Sequence, residues 1–312
     1  MNELDVCLRL FLGWLAERHD RRFELERTEE PEPNVVAANA IAGSLRLAVE
    51  VRAVLEPTED EPWRTQRERL EGELSTGLEG SFAVWLPPGA DLPFEAAEVQ
   101  RLVALTRETL RRLRPGERSQ VGLPVPLFIK KTQADGALMS VSGGLNRYWA
   151  SLSEGISGTY DVDSRTLHRL PESEEHLGRL LEEVRETARA IEGTGGGWAE
   201  LQTIDAWTVH HLREGEGLCI IGRPPAETSD VGLAVRRNLR RLLAASAPRL
   251  RASDAGAKAL VVLGFYGRME DEGATTAMRG YDPTLYSGLD FVCLAADGAI
   301  KPLMEAGAAA LL

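Results

Sequence analysis

At 312 residues the chain is long enough for one large domain or two ordinary ones. Apolar content of 43% and charged content of 27% are those of a soluble globular protein with a real core, and no apolar run approaches the roughly 18 residues that span a bilayer. The net charge of -12 argues against a protein dedicated to wrapping nucleic acid, which carries a basic surplus; a polyanion here needs a local basic patch or a basic partner subunit.

The N-terminus is acidic and amphipathic, so no signal peptide is expected. Residues 3–18 predict a helix with Leu4, Cys7, Leu8, Phe11 and Leu15 on one face, widened by Trp14 and capped by Asn2. Phe23 to Arg27 predicts a short strand, and residues 29–33 an acidic turn. From Pro33 to Leu55 two strands are expected, joined by a turn at Gly43-Ser44. The second alternates: Leu45, Leu47, Val49, Val51, Ala53 and Leu55 share one face, and Arg46, Ala48, Glu50, Arg52 and Val54 the other, polar one. Thr58 is expected to cap a charged helix running to about Leu74, and Ser81 to Leu86 to form an apolar strand.

This order, α-β-β-β-α-β in about 86 residues, resembles the restriction-endonuclease-like fold, the PD-(D/E)xK superfamily. Pro33-Asn34 stands where that family has Pro-Asp, and Glu50-Val51-Arg52 where it has E-x-K, sixteen residues on. Glu17 matches an acidic residue many members carry late in the first helix. Gln66 lies where some have Q-x-x-x-Y, with Leu70 at the partner position. The resemblance implies a divalent metal and a bound water, but two positions depart from it. An asparagine offers only a neutral carbonyl to a hard cation. An arginine stays protonated and cannot take a proton from water as a lysine can. The bare pattern is also that of any half-exposed strand carrying a Glu-x-Arg pair.

A loop at residues 87–93 precedes a helix from about Glu95 to Leu113. Arg107, Arg111, Arg112, Arg114 and Arg118 cluster at its end, complementing the helix dipole or offering a phosphate patch together with Lys130-Lys131. Val125–Lys131 and Ala137–Val141 predict a hairpin across Ala134-Asp135-Gly136. The Gly143-Gly144 turn before a short helix at residues 147–152 lacks a phosphate-loop signature, and a capping turn is expected there. Thr159–Asp163 and Thr166–Leu170 predict strands; Asp161, Asp163 and His168 are candidate ligands or turn residues. A strong amphipathic helix spans residues 174–191 and ends at the glycine-rich run 193–197.

Beyond it, Leu201–Val209 and Gly217–Gly222 predict strands, Asp230–Ala247 a helix, and Lys258–Tyr266 and Leu289–Ala295 buried strands. A degenerate repeat of the first half would place Asp205 on Asn34, Ile221 on Glu50 and Arg223 on Arg52. Arg236, Arg237, Arg240 and Arg241 form stacked i,i+4 pairs opposite the Val235-Leu239-Leu242 face. Residues 269–281 are a candidate lid or partner loop, and residues 306–312 an apolar tail.

The expected architecture is mixed α/β, with small mixed sheets flanked by helices. A nuclease-like domain at 1–192, a linker at 193–197 and a second α/β domain or half at 198–312 make up its organisation. The expected function is that of an accessory or recognition protein with a degenerate metal site at Glu50, Arg52, Asn34 and Glu17. No resident cofactor is expected, Mg²⁺ on Glu50 belonging to the active alternative. A protein partner is expected, with nucleic acid met through Arg236, Arg237, Arg240 and Arg241, no membrane contact, and a cytoplasmic setting suggested by three scattered cysteines. The alternatives are an active metal-dependent nuclease using Glu50 and a non-enzymatic protein-interaction subunit.

Overall fold

The structure, a computed structural model, describes residues 1–55, 60–191, 197–225, 231–266 and 272–306. It is mixed α/β, with two six-stranded sheets. The chain divides into two compact units. One comprises Met1–Ser119 and Thr208–Leu312; the other is the intervening Gln120–Trp207. These boundaries differ from those expected at residues 193–197, of which 193–196 lie outside the described residues.

In the first unit, α1 (Glu3–His19) starts with a capping box: Asn2 accepts from the Asp5 amide while Asp5 accepts from that of Asn2. Then follow β1 (Glu24–Glu29), β2 (Val35–Ala42) and β3 (Leu45–Ala53), an antiparallel meander. The strand on the other side of β3 is not the next in sequence. It is β10 (Ala257–Leu263), parallel to β3 and followed in the sheet by parallel β11 (Phe291–Ala296) and antiparallel β12 (Ala299–Glu305). The apolar run of β10 suits a parallel strand buried on both faces. The sequence reading missed β12, whose residues are all half-buried.

Helices cover both faces of this sheet. Val49 lies beside Ala259, and Ala259 beside Phe291, so the three share a face. Phe11 and Trp14 of α1 meet Phe291 edge-on there. The opposite face, that of Glu50, is covered by α6 (Val231–Ala252). The predicted polar side of β3 is therefore buried: Ala48 and Glu50 are almost fully enclosed. That helix runs past its expected end at Ala247 and carries Pro248, an exposed residue, inside it.

The helix α2 (Glu61–Ser75) is capped by Asp60, which accepts from the Trp63 amide; Thr58 lies outside the described residues. The strand after it, β4 (Ser81–Trp85), does not join the β3 sheet as the expected compact core requires. It pairs with β9 (Gly217–Ile221) in parallel and with residues 208–212 of β8 (Trp198–Leu212) in antiparallel. Gln66 is no catalytic outlier: it donates to the Pro93 carbonyl and pins the 87–93 loop to α2. The helix α3 (Ala96–Leu110) packs on α2.

In the second unit, β7 (Gly158–Ser164) lies between β5 (Arg118–Gln133), antiparallel, and β6 (Ala137–Gly143), parallel. The expected β5–β6 hairpin is thus split by β7, which starts where the Gly136 carbonyl accepts from the Gly158 amide at 2.8 Å. Residues 166–170 form no strand: Asp205 takes the amides of His168 and Arg169, at 3.0 and 2.7 Å. The helices α4 (Trp149–Ser153) and α5 (Glu174–Ala190) close the core of Leu127, Ile129, Tyr160, Leu180 and Val184.

Candidate functional site: one helix, two sets of arginines

Glu50 is held at the centre of the first sheet by residues distant in sequence. Its Oε1 accepts from Arg52 Nε at 2.6 Å, Ser246 Oγ at 2.6 Å and Arg249 Nη2 at 2.8 Å. Its Oε2 accepts from Arg249 Nε at 3.2 Å, completing a two-pronged grip. Glu32, from the acidic turn, accepts from Arg249 Nη1 and, at 3.3 Å, from Arg52 Nη2. Two carboxylates and two guanidiniums thus close a ring with no net charge. Burial pushes the Glu50 carboxyl up, but donation from Arg249, Ser246 and Arg52 outweighs it and holds the carboxyl below its ordinary range. The sequence reading named Glu50 and Arg52; it missed the roles of Arg249 and Ser246 and left Glu32 as one acid among several.

The other expected site residues do not join this ring. Asn34 takes the left-handed conformation, φ 61°, just before β2 and lines a different cavity beside Glu3 and Trp63. Asparagine tolerates that backbone well. Glu17 pairs with Arg213 at 2.5 Å on an exposed part of α1. Among the described residues, no three His, Cys, Asp or Glu side chains cluster as a metal site would need. Asp163 pairs with Arg165, while His168 Nδ1 lies 3.1 Å from Asp205, so the triad of Asp161, Asp163 and His168 is not assembled.

The opposite side of α6 carries Arg236, Arg237, Arg240 and Arg241, all exposed, and the helix has no acidic residue along its length. Val235, Leu239, Leu242, Leu243 and Ala247 fix this orientation by burying the other face. Arg236 Nη2 donates to the Arg279 carbonyl at 3.2 Å, and the Tyr281 hydroxyl donates to the Arg236 carbonyl. Exposed Arg279 therefore lies beside Arg236, a neighbour that helix periodicity did not reveal. Residues 269–271, part of the expected lid, lie outside the described residues.

Of the five arginines expected to cluster at the end of α3, Arg107, Arg112 and Arg118 are engaged by other groups, while Arg111 and Arg114 are exposed. Arg107 donates to the Glu73 carbonyl, Arg112 pairs with Glu108, and Arg118 reaches the Asp297 carbonyl at 3.3 Å. The Gly143-Gly144 turn does not cradle a ligand. A Cβ at Gly143 would meet Ser164 and Arg165 backbone at 2.4 Å, and one at Gly144 the Leu167 carbonyl at 2.2 Å, so chain already fills that space. The strands of the expected repeat also pair differently: β2 lies directly beside β3, whereas β8 and β9 have β4 between them.

One buried histidine belongs to the first unit. His210 lines a cavity with Arg9, Glu17 and Arg118, and burial, then the Arg118 charge, pushes its pKa down to about 4. Cys7, Cys219 and Cys293 are buried, unbridged thiols. No family model, curated protein or solved structure matches the chain.

Proposed function

We propose that this protein is a non-catalytic recognition or accessory protein on a restriction-endonuclease-like core, which holds the phosphate backbone of a nucleic acid through α6. The observation that carries the reading is the exposed row of Arg236, Arg237, Arg240 and Arg241 on a helix whose own sequence holds no acidic residue, in a chain of net charge -12. Guanidiniums engage phosphate oxygens two at a time, and a local surplus on an acidic protein confines attraction to one surface. The nuclease-like part of the reading is supported by α1, the β1-β2-β3 meander and a helix-strand pair, α6 and β10, beside β3. Its loss of catalysis is supported by Arg249, whose positive charge occupies the carboxylates where a cation would be needed. A protein partner and a cytoplasmic setting belong to the same proposal, the latter supported by three unbridged thiols.

The test is binding of single- and double-stranded nucleic acid across a salt series, wild type against Arg240→Ala/Arg241→Ala. Two lost phosphate contacts should lower the slope of log K against log salt by about 1.4–1.8 and weaken all sequences alike. An unchanged slope removes this helix from the interface. Absence of wild-type binding at low salt turns the reading into that of a protein-interaction subunit.

A second reading, the active metal-dependent nuclease, draws on the convergence of Glu32 and Glu50 on the same two arginines. It requires those arginines to release the carboxylates to Mg²⁺. Mg²⁺- or Mn²⁺-dependent cleavage that disappears in Glu50→Gln would establish it over the first.

A further inference from the structure

A cavity of about 380 Å³ opens in the first unit between the start of α1, the β2–β3 hairpin, α2 and the end of β9. Three buried N–H donors belong to residues that line it: Trp63 Nε1, Arg67 Nε and Arg223 Nε. None has a hydrogen-bond partner among the described residues. Trp63 is 3% exposed and Arg223 4%, so bulk water does not satisfy them. Buried polar hydrogens are nearly always paired, and three unpaired ones around one cavity mark a place for acceptors.

The surrounding contacts fix these donors and leave their N–H groups unused. Glu3 Oε1 accepts from both Arg67 Nη1, at 2.9 Å, and Arg223 Nη1, at 2.7 Å. One carboxylate is therefore shared by two guanidiniums. Arg223 also donates to the Gly222 carbonyl and lies 4.8 Å over the Phe265 ring, while Arg67 lies 5.6 Å over that of Trp63. These contacts hold both guanidiniums without using their Nε atoms. Glu71 Oε1, 4.0 Å from Arg67 Nε, accepts from the Ile220 amide, and burial pushes its carboxyl up. Glu30 and Arg64 line the same cavity, Arg64 paired with Glu61, so that across the lining Arg64, Arg67 and Arg223 are matched in formal charge by Glu3, Glu30 and Glu71. Two of the three donors belong to guanidiniums that share a single carboxylate oxygen, and an anionic acceptor meets such charged donors more strongly than a neutral one.

We propose that this cavity binds a small-molecule oxyanion, a phosphate or carboxylate group, through Trp63 Nε1, Arg67 Nε and Arg223 Nε. The site is separate from the arginine face of α6 and does not rest on the nucleic-acid reading. The probes are inorganic phosphate and succinate, which distinguish the two group types, each titrated against the full chain by calorimetry and by thermal shift at constant ionic strength. Saturable binding of at least one is expected, with a raised melting temperature. Trp63→Phe keeps the ring and loses one donor, and should weaken binding about tenfold; Arg67→Lys keeps the charge and loses the Nε geometry, with a similar loss. Arg240→Ala/Arg241→Ala should bind the probe as wild type does, which separates this site from the helix surface. No saturable binding of either probe by wild type overturns the proposal, as does binding unchanged in both Trp63→Phe and Arg67→Lys. If Trp63→Phe fails to fold, Arg67→Lys decides alone, since that side chain is partly exposed at the cavity wall.

Discussion

The two sides of α6 carry the same residue type in opposite circumstances. On the sheet side, Arg249 meets Glu50 and Glu32, and its charge is used inside the fold. On the other side, Arg236, Arg237, Arg240 and Arg241 project from a helix that supplies no carboxylate. A buried carboxylate needs its guanidiniums for the chain to fold; an exposed arginine costs folding little. An arginine's role is therefore set by what faces it, and the two sets should separate cleanly in experiment. Stability should depend on the inner set, and salt-sensitive binding on the outer one.

The largest expected effect is at the inner set. Glu50→Ala leaves Arg52 and Arg249 facing each other across the site of a side chain that is only 3% exposed. Removing one partner of a buried ion pair costs about 3–5 kcal/mol, so urea unfolding should show a large drop or no folded protein. A loss below about 1 kcal/mol would mean that solvent reaches the ring and that the two sides of the helix do not differ as described.

Acid should disrupt the inner set while leaving the outer arginines charged, but a second group must be told apart from it. His210 has its folded pKa pushed down to about 4, below the roughly 6.5 of an unfolded histidine. The folded state thus binds fewer protons there, and stability is lost as pH falls from about 6.5 to 4, on the order of 3 kcal/mol in all. Glu50 is also held below its ordinary range, so its contribution is present above the unfolded carboxylate value and is lost lower, as pH falls through its folded pKa. Urea midpoints across pH should show two windows. His210→Gln removes the upper one and Glu50→Gln the lower; a single window abolished by His210→Gln would show that the ring contributes little.

Arg249→Lys is a smaller perturbation of the same ring. Lysine keeps the charge but cannot grip both oxygens of Glu50 while reaching Glu32. A stability loss on the order of 1–2 kcal/mol is expected from urea unfolding, tempered by the partial exposure of Arg249. Parity with wild type would reduce the ring to plain charge balance.

How much of this arrangement could be read in advance follows from distance along the chain. The alternation in residues 45–55 revealed β3, and the Asn2 cap and apolar face revealed α1, because both signals are local. The stacked arginines of α6 were visible for the same reason. Nothing in residues 45–55 shows that the Glu50 face is covered, since Ser246 and Arg249 lie about two hundred residues away. Strand order was hidden likewise: β4 follows β3 in sequence but joins another sheet, and β7 enters between β5 and β6. Short strands predict their own existence; their neighbours are chosen by packing of the whole chain. Asn34 fitted the motif spacing, yet its left-handed backbone and its cavity follow from the turn before β2, which spacing does not encode.

The smallest expected effect sharpens the comparison from the outer side. Arg240 is exposed, and lysine keeps the charge that Asp282 feels beside it, so Arg240→Lys should change unfolding stability by less than about 0.5 kcal/mol. Lysine also retains the positive charge, and the salt dependence of nucleic-acid binding counts neutralised phosphates irrespective of donor geometry. The slope of log K against log salt should therefore match wild type, with affinity lowered severalfold at most by the loss of two-pronged phosphate contact. The same substitution at Arg249 is expected to cost stability, so the pair forms an internal control on one helix. If Arg240→Lys destabilises the fold as Arg249→Lys does, the outer row is also spent on structure, and the proposed surface loses its distinction from the buried ring.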